Sequence, residues 1–290
     1  MTLGPSELIL NTNGSIYHLN VLPEDIADTI ITVGDPDRVS EVSRFFDSVE
    51  LRKSNREFHT HTGTLQGKRL TVISTGIGTD NIDIVLNELD ALVNINFESR
   101  TVNSEKRTLD IIRIGTSGAI QPHIPVDTFL LGEYAMGFDG LLYYYEDSAS
   151  VLHGEMARAF IAHSDWAAQK AQPYVVQSDG ILGKKLHSNR IRLGITATNT
   201  GFYGPQARKL RLQVQNDGWL GTLASFRYQG KQITNLEMET SGIYGLARLL
   251  GHRAVSMNCI LANRVTGEFS KDPKKATLEL IAYCLEKICA

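Results

Sequence analysis

Cysteine is scarce in this chain, and basic residues are missing from its beginning. The three cysteines, Cys259, Cys284 and Cys289, are odd in number and show no CxxC spacing. That argues against a disulfide framework and a zinc site and for free thiols in a reducing compartment, so no metal is expected. No Lys or Arg precedes Arg38, so the start lacks the basic region of a signal peptide. No apolar run approaches the ~18 residues of a membrane span. An excess of one charge is missing too, with 29 Lys and Arg against 32 Asp and Glu. Any basic site must be local, and a nucleic acid is not an expected partner. Internal repeats and low-complexity linkers are absent. A single domain over 1–290, cytoplasmic and without a membrane partner, is expected. At 42% hydrophobic residues it can bury a sizeable core.

What is present is a series of short apolar runs, each closed by glycine or a polar turn. Thr29–Val33 ends at Gly34-Asp35-Pro36, Leu70–Thr75 at Gly76-Ile77-Gly78, and Ile111–Ile114 at Gly115-Thr116-Ser117-Gly118. Ile191–Thr198 ends at Asn199-Thr200-Gly201 and Ala254–Ala262 at Asn263-Arg264. Their length and Ile, Val and Thr content predict buried strands. Between them, Ile82, Val85, Leu86, Leu89 and Leu92 keep helical spacing, with Asp80 or Asn81 as the expected cap. Glu239–Leu250 reads as a helix stopped by Gly251, and Asp272-Pro273 opens a C-terminal helix. Glu98–Leu109 reads as an exposed loop. Alternating strands and helices predict an α/β layered domain.

Ligands of open α/β sheets gather at the carboxyl ends of strands. There Gly34-Asp35-Pro36-Asp37-Arg38 sets a glycine amide beside an arginine, and Arg113 lies inside an apolar strand ahead of Thr116. Arg56 follows in Asn55-Arg56-Glu57-Phe58. Three guanidinium forks, a hydroxyl and a free amide suit a phosphate. Each also has a plainer reading. GDPDR is an ordinary turn and helix start, and Arg56 alone is most often a surface charge. Arg113 is harder to dismiss, because a buried arginine needs a partner. Gly76-Ile77-Gly78 lacks the third glycine of a dinucleotide fingerprint.

The motifs GDPDR, REF, STGIG, RIGTSGAIQPHI, FYGPQAR, LEMET and NR occur in that order. As an ordered set they resemble the nucleoside phosphorylase superfamily, its uridine phosphorylase type in particular, over nearly the whole chain. The resemblance implies a three-layer α/β/α sandwich around a central mixed, barrel-like β-sheet. It implies homo-oligomers, dimer or hexamer, whose active sites are shared between subunits. It places phosphate against Gly34, Arg38, Arg113 and Thr116 of one subunit and Arg56 of the next. Ribose would meet Glu237, Met238 and Glu239, with the neighbour's His18 at the 5′-hydroxyl. The base would meet Phe202, Gln206, Arg208, Leu261 and Ala262. In the same implied scheme Arg113, Gln206, Arg208 and Glu239 carry catalysis, and inorganic phosphate is a co-substrate, with no cofactor. The plainer readings are a solvated helix start for Glu237-Met238-Glu239, an exposed loop histidine for His18 and core packing for Phe202.

The expected activity is phosphate-dependent cleavage of uridine, or of deoxyuridine, in pyrimidine salvage. Purine-cleaving relatives place an Asp after the late strand, whereas here Leu261-Ala262-Asn263-Arg264 carries no acid. Purine phosphorolysis, a hydrolytic nucleosidase of the same fold and a non-catalytic nucleoside-binding protein are the alternatives. Some relatives hold a monovalent cation between subunits. Glu57 and Ile77 match that set, whereas Asn81 stands where a serine would be, which weakens the case for the ion without removing it. Glu98–Leu109 is longer than in bacterial members, and Gly242 and Tyr244 depart from the usual small or aliphatic residues. Gly218 and Gly221 would permit a mobile flap around Asp217–Arg227.

Overall fold

The computed structural model describes residues 2–290. Along the chain run β1 (Thr29–Val33), α1 (Pro36–Ser43), β2 (Ser48–Asn55), β3 (Phe58–Leu65), β4 (Lys68–Ser74) and α2 (Thr79–Asn94). A small hairpin, β5 (Ile95–Asn96) and β6 (Thr101–Val102), precedes β7 (Asp110–Ala119) and β8 (Phe129–Gly137). Then come α3 (Gly154–Ser164), β9 (Tyr174–Gln177), α4 (Gly180–Leu186), β10 (Ile191–Thr198) and α5 (Trp219–Ser225). The chain ends with β11 (Arg227–Tyr228), β12 (Lys231–Glu237), α6 (Thr240–Leu249), β13 (Arg253–Asn263) and α7 (Pro273–Cys289). Among the described residues no helix is long and apolar enough to cross a membrane.

The main sheet has the order β11-β12-β10-β8-β13-β7-β1-β4-β3-β2, with β9 beside β8. A further antiparallel pairing of β12 with β7 closes β7, β13, β8, β10 and β12 into a barrel. β4, β1, β7 and β13 run parallel, whereas β2, β3 and β9 join antiparallel. The mixed, barrel-like sheet is therefore as the motifs implied. Its central strands β1, β7, β8 and β13 read as largely apolar runs because both faces are covered. Ile30, Ile111 and Ala254 face a core built with α2 and α6. Their neighbours Ile31, Ile112 and Val255 face a second core built with α1, α4 and α7. That alternation is the period of two of a pleated strand.

Several local expectations change. The strand read as ending at Ile114 runs on to Ala119, paired with β13 along its length. Its glycines do not break it, because Gly115 is where the Arg113 side chain lies back across the sheet. A Cβ there would sit 1.8 Å from Arg113 Nη1. Neither Asp80 nor Asn81 caps α2. Gly78 is the N-cap, at a φ of 98° that favours glycine, and no side chain caps the turn. Asp272 and Gly251 do what was expected of them. The Asp272 side chain accepts from Lys275 N, and Gly251 takes a φ of 80° just past α6.

Glu98–Leu109 is less free than a loop. Thr101–Val102 pairs with Ile95–Asn96, and Arg100 donates to the carbonyls of Leu3, Gly4 and Leu8. Leu109 is fully buried. The insertion thus clamps the N-terminal segment. Within Asp217–Arg227, Trp219–Ser225 forms α5, and Leu223 and Phe226 are buried against a third cluster around Phe160. Gly242 lets α6 approach α2, since a Cβ would lie 3.2 Å from Thr79 Cγ2. Tyr244 is buried beneath it, its hydroxyl donating to Gly132 O at 2.6 Å and accepting from Ser256 N.

Candidate active site

The carboxyl ends of β1, β4, β7, β12 and β13 open onto one cavity of about 840 Å³. Gly34 and Arg38 enter it from the turn after β1 and the first turn of α1. Asp35 caps that helix by accepting from Asp37 N, so GDPDR is both the ordinary helix start and a cavity wall. Burial lowers the Arg38 pKa, Asp35 partly opposes this, and nearby Arg113 lowers it further. Two cations held close together suit an anion.

Arg113 is almost fully buried. Its Nη2 lies 2.5 Å from Glu239 Oε2 and 3.4 Å from Glu237 Oε2, and Nη1 donates to Asn258 Oδ1 at 3.1 Å. Burial alone would lower its pKa, but Glu237 and Glu239 more than offset this and raise it. Glu239 has its carboxyl pKa raised by burial, with Arg113 pulling it back in part. Its Oε1 accepts from Gly78 N at 2.9 Å, so Glu239 sits at the N-terminus of α2 while its own backbone caps α6. These helix ends favour a carboxylate.

Glu237 and Glu239 are both buried, so the solvated helix start is excluded. They are not equivalent. Glu237 accepts from Thr198 Oγ1, from Thr240 Oγ1 and from the backbone N–H groups of Glu239 and Thr240. Its oxygens are spent on holding the turn, and it orients Glu239 rather than offering a free carboxylate.

A second group lines another part of the same cavity. Gln206 is buried, and its Oε1 accepts from Arg208 Nη1 at 2.6 Å, leaving the Gln206 amide N–H groups to donate elsewhere. Phe202 is 51% exposed, so it is not core. Arg264 donates to the carbonyls of Gln206 and Ala207, supporting the turn rather than the Arg208 side chain. The bulge in β13 between Ile260 and Ala262 leaves Leu261 unpaired, and both Leu261 and Ala262 line the cavity. Asn263 faces away. Its amide donates to Gln121 O and Ile124 O, and its oxygen accepts from Val265 N and Thr266 N.

Gly34, Arg38, Arg113, Thr116, Phe202, Gln206, Arg208, Glu237, Met238, Glu239, Leu261 and Ala262 all line this cavity. His18 and Arg56 do not. They lie with each other instead. Arg56, at a φ of 53°, packs its guanidinium on Tyr17, and Asn55 Nδ2 donates to His18 O. His18 is no free loop histidine, since its Nδ1 is 2.6 Å from Glu88 Oε1. Phe269 also lines the cavity and went unread in the sequence, where it sits in a polar stretch. Asn258, an amide in the middle of an apolar strand, was the available sign of a partner for Arg113.

A model of the phosphorylase superfamily matches residues 28–289. The uridine phosphorylase of Thermococcus kodakarensis is 30% identical over 283 residues, covering 96% of this chain and 87% of the relative. That of Haemophilus influenzae is 29% identical over 269 residues, covering 91% of each. Among solved structures, a Trypanosoma brucei nucleoside phosphorylase described as showing uridine phosphorylase activity superposes with a TM-score of 0.86 at 29% identity. It covers 97% of this chain and 98% of that one. The chain belongs to the phosphorylase superfamily.

Proposed function

We propose that the enzyme is a uridine phosphorylase, converting uridine and inorganic phosphate to uracil and ribose 1-phosphate. The observation that carries this reading is the pairing of two groups in one cavity. One is the cationic group Arg38 and Arg113 with Gly34 and Thr116. The other is the Gln206–Arg208 pair among Phe202, Leu261, Ala262 and Phe269.

A phosphate oxygen attacks the anomeric carbon as the glycosidic bond breaks, and the bonding pair leaves on the pyrimidine ring. No protein nucleophile or cofactor is needed, because phosphate itself attacks and the arginines position it. The ribosyl centre gains cationic character, which Glu239 faces while accepting from ribose hydroxyls. Charge developing on the departing ring meets donors from Gln206 and Arg208. The absence of an acid from Leu261-Ala262-Asn263-Arg264 supports a pyrimidine, since no side chain at the end of β13 would protonate a purine ring. Neighbouring subunits would complete the site with Arg56 and His18.

The test is a panel of uridine, deoxyuridine, thymidine and inosine, each with and without phosphate, followed by base release. Uracil should form from uridine only with phosphate. Equal release without phosphate would overturn phosphorolysis, and faster cleavage of inosine than of uridine would overturn the pyrimidine assignment.

A further inference from the structure

Behind the cavity wall, Asn258 is completely buried in β13, at the position paired with Gly115. A guanidinium has no acceptor, so the group facing Arg113 Nη1 at 3.1 Å must be the amide oxygen. The amide nitrogen then donates to Ser256 Oγ at 3.2 Å. Ser256 Oγ is 3.0 Å from Thr240 Oγ1, which is also 2.8 Å from Glu237 Oε2. Thr240 has one hydroxyl proton and the carboxylate has none to give, so that proton goes to Glu237 and Ser256 donates to Thr240. The hydrogen bonds therefore run one way, from Arg113 through Asn258, Ser256 and Thr240 to Glu237. The 3.4 Å ion pair of Glu237 with Arg113 closes the ring. Bonds aligned head to tail polarise and strengthen one another.

We propose that Asn258 is a positioning residue for phosphate capture, acting through Arg113. The proposal rests on the phosphorylase reading above. Its chemistry is specific to a neutral amide. Glu237 and Glu239 already draw the guanidinium toward themselves. A third carboxylate would cancel more of the charge that phosphate needs. An apolar residue would leave Nη1 unpartnered and Arg113 free to lean onto the two glutamates. An amide oxygen fixes one end of the guanidinium across Gly115 while leaving its charge available.

The test compares Asn258→Asp and Ser256→Ala with the wild-type enzyme. Steady-state kinetics vary phosphate and uridine separately, and melting is followed with inorganic phosphate alone. In Asn258→Asp the KM for phosphate should rise about tenfold or more, with the KM for uridine within about threefold. The phosphate-dependent rise in Tm should shrink in parallel. Ser256→Ala, which removes the anchor of the amide, should move the phosphate KM in the same direction by a smaller factor. It carries the test alone if Asn258→Asp does not fold. A phosphate KM within twofold of wild type in the folded variants overturns the proposal, as does an equal rise in both KM values. If wild-type enzyme fails to cleave uridine, the phosphorylase reading falls instead, and the melting shift with phosphate still reports on Asn258.

Discussion

The Arg208 guanidinium carbon lies 3.7 Å from the centre of the Phe202 ring, and its Nη1 donates to the Phe202 carbonyl at 2.8 Å. One aromatic residue thus holds the arginine by its face and by its backbone, and the FYGPQAR motif folds onto itself. Removing Arg208 takes away a donor to the departing base and a stack on Phe202, which is itself half exposed. We expect Arg208→Ala to lower kcat/KM for uridine on the order of 10²–10³, with Tm nearly unchanged. Arg208→Lys should not restore activity, because an ammonium lacks the planar fork that stacks on the ring. Wild-type turnover in Arg208→Ala would refute the base-site assignment.

Gly115 gives a test of a different kind, because it lacks the side chain that would displace Arg113. A Cβ would meet Nη1 at 1.8 Å and Cζ at 2.5 Å. Gly115→Ala should therefore raise the phosphate KM and lower kcat/KM on the order of 10². It should also cost about 1–3 kcal/mol of stability through overpacking. Kinetics and thermal melting separate the two effects, and full activity in this variant would show that Arg113 is not held as described.

For Glu239 the measurable quantity is pH. The ionised form is the one that accepts from ribose hydroxyls, and burial raises its pKa above the ordinary 4.5. We expect kcat/KM for uridine to fall as pH drops through that raised value, so the acid limb should lie above 4.5. The stability sign is opposite. With the folded pKa above the unfolded one, the contribution of Glu239 to stability is fullest below the ordinary value and is lost as pH rises through the raised one. Glu239→Gln should lower kcat/KM on the order of 10² at neutral pH and remove the limb from what remains. An acid limb below 4.5 in the wild-type enzyme would count against this role.

Arg56 lines no part of the cavity in its own chain, so the shared site can be tested by mixing. Arg56→Ala and Arg113→Ala proteins, each inactive alone, should regain activity when dissociated and reassembled together. Sites pairing an intact Arg56 with an intact Arg113 then form in the mixed oligomer. No recovery after mass analysis confirms mixing would place Arg56 outside the neighbour's site.

By itself the sequence determined the layered fold and most of the cavity's membership. Apolar runs such as Thr29–Val33 and Ile191–Thr198 coincide with β1 and β10, because a strand buried on both faces, as β1 is throughout and β10 from Gly194 on, leaves a local, continuous signal. The Asp272-Pro273 start of α7 was equally local, because a cap acts within one turn. GDPDR, FYGPQAR and EME follow strands at the edge where RIGTSG ends β7, so all four reach one cavity. Only the tertiary structure decided what those residues do to each other. It made Gly115 part of a strand instead of its end, because the constraint comes from the Arg113 side chain crossing it. It spent the Glu237 oxygens on Thr198 and Thr240, residues 39 and 3 positions away in the chain. It also brought Asn258 to Arg113 across 145 positions. Such pairings depend on strand register and helix placement, which are set by the whole sheet and leave no mark in the spacing of any one motif.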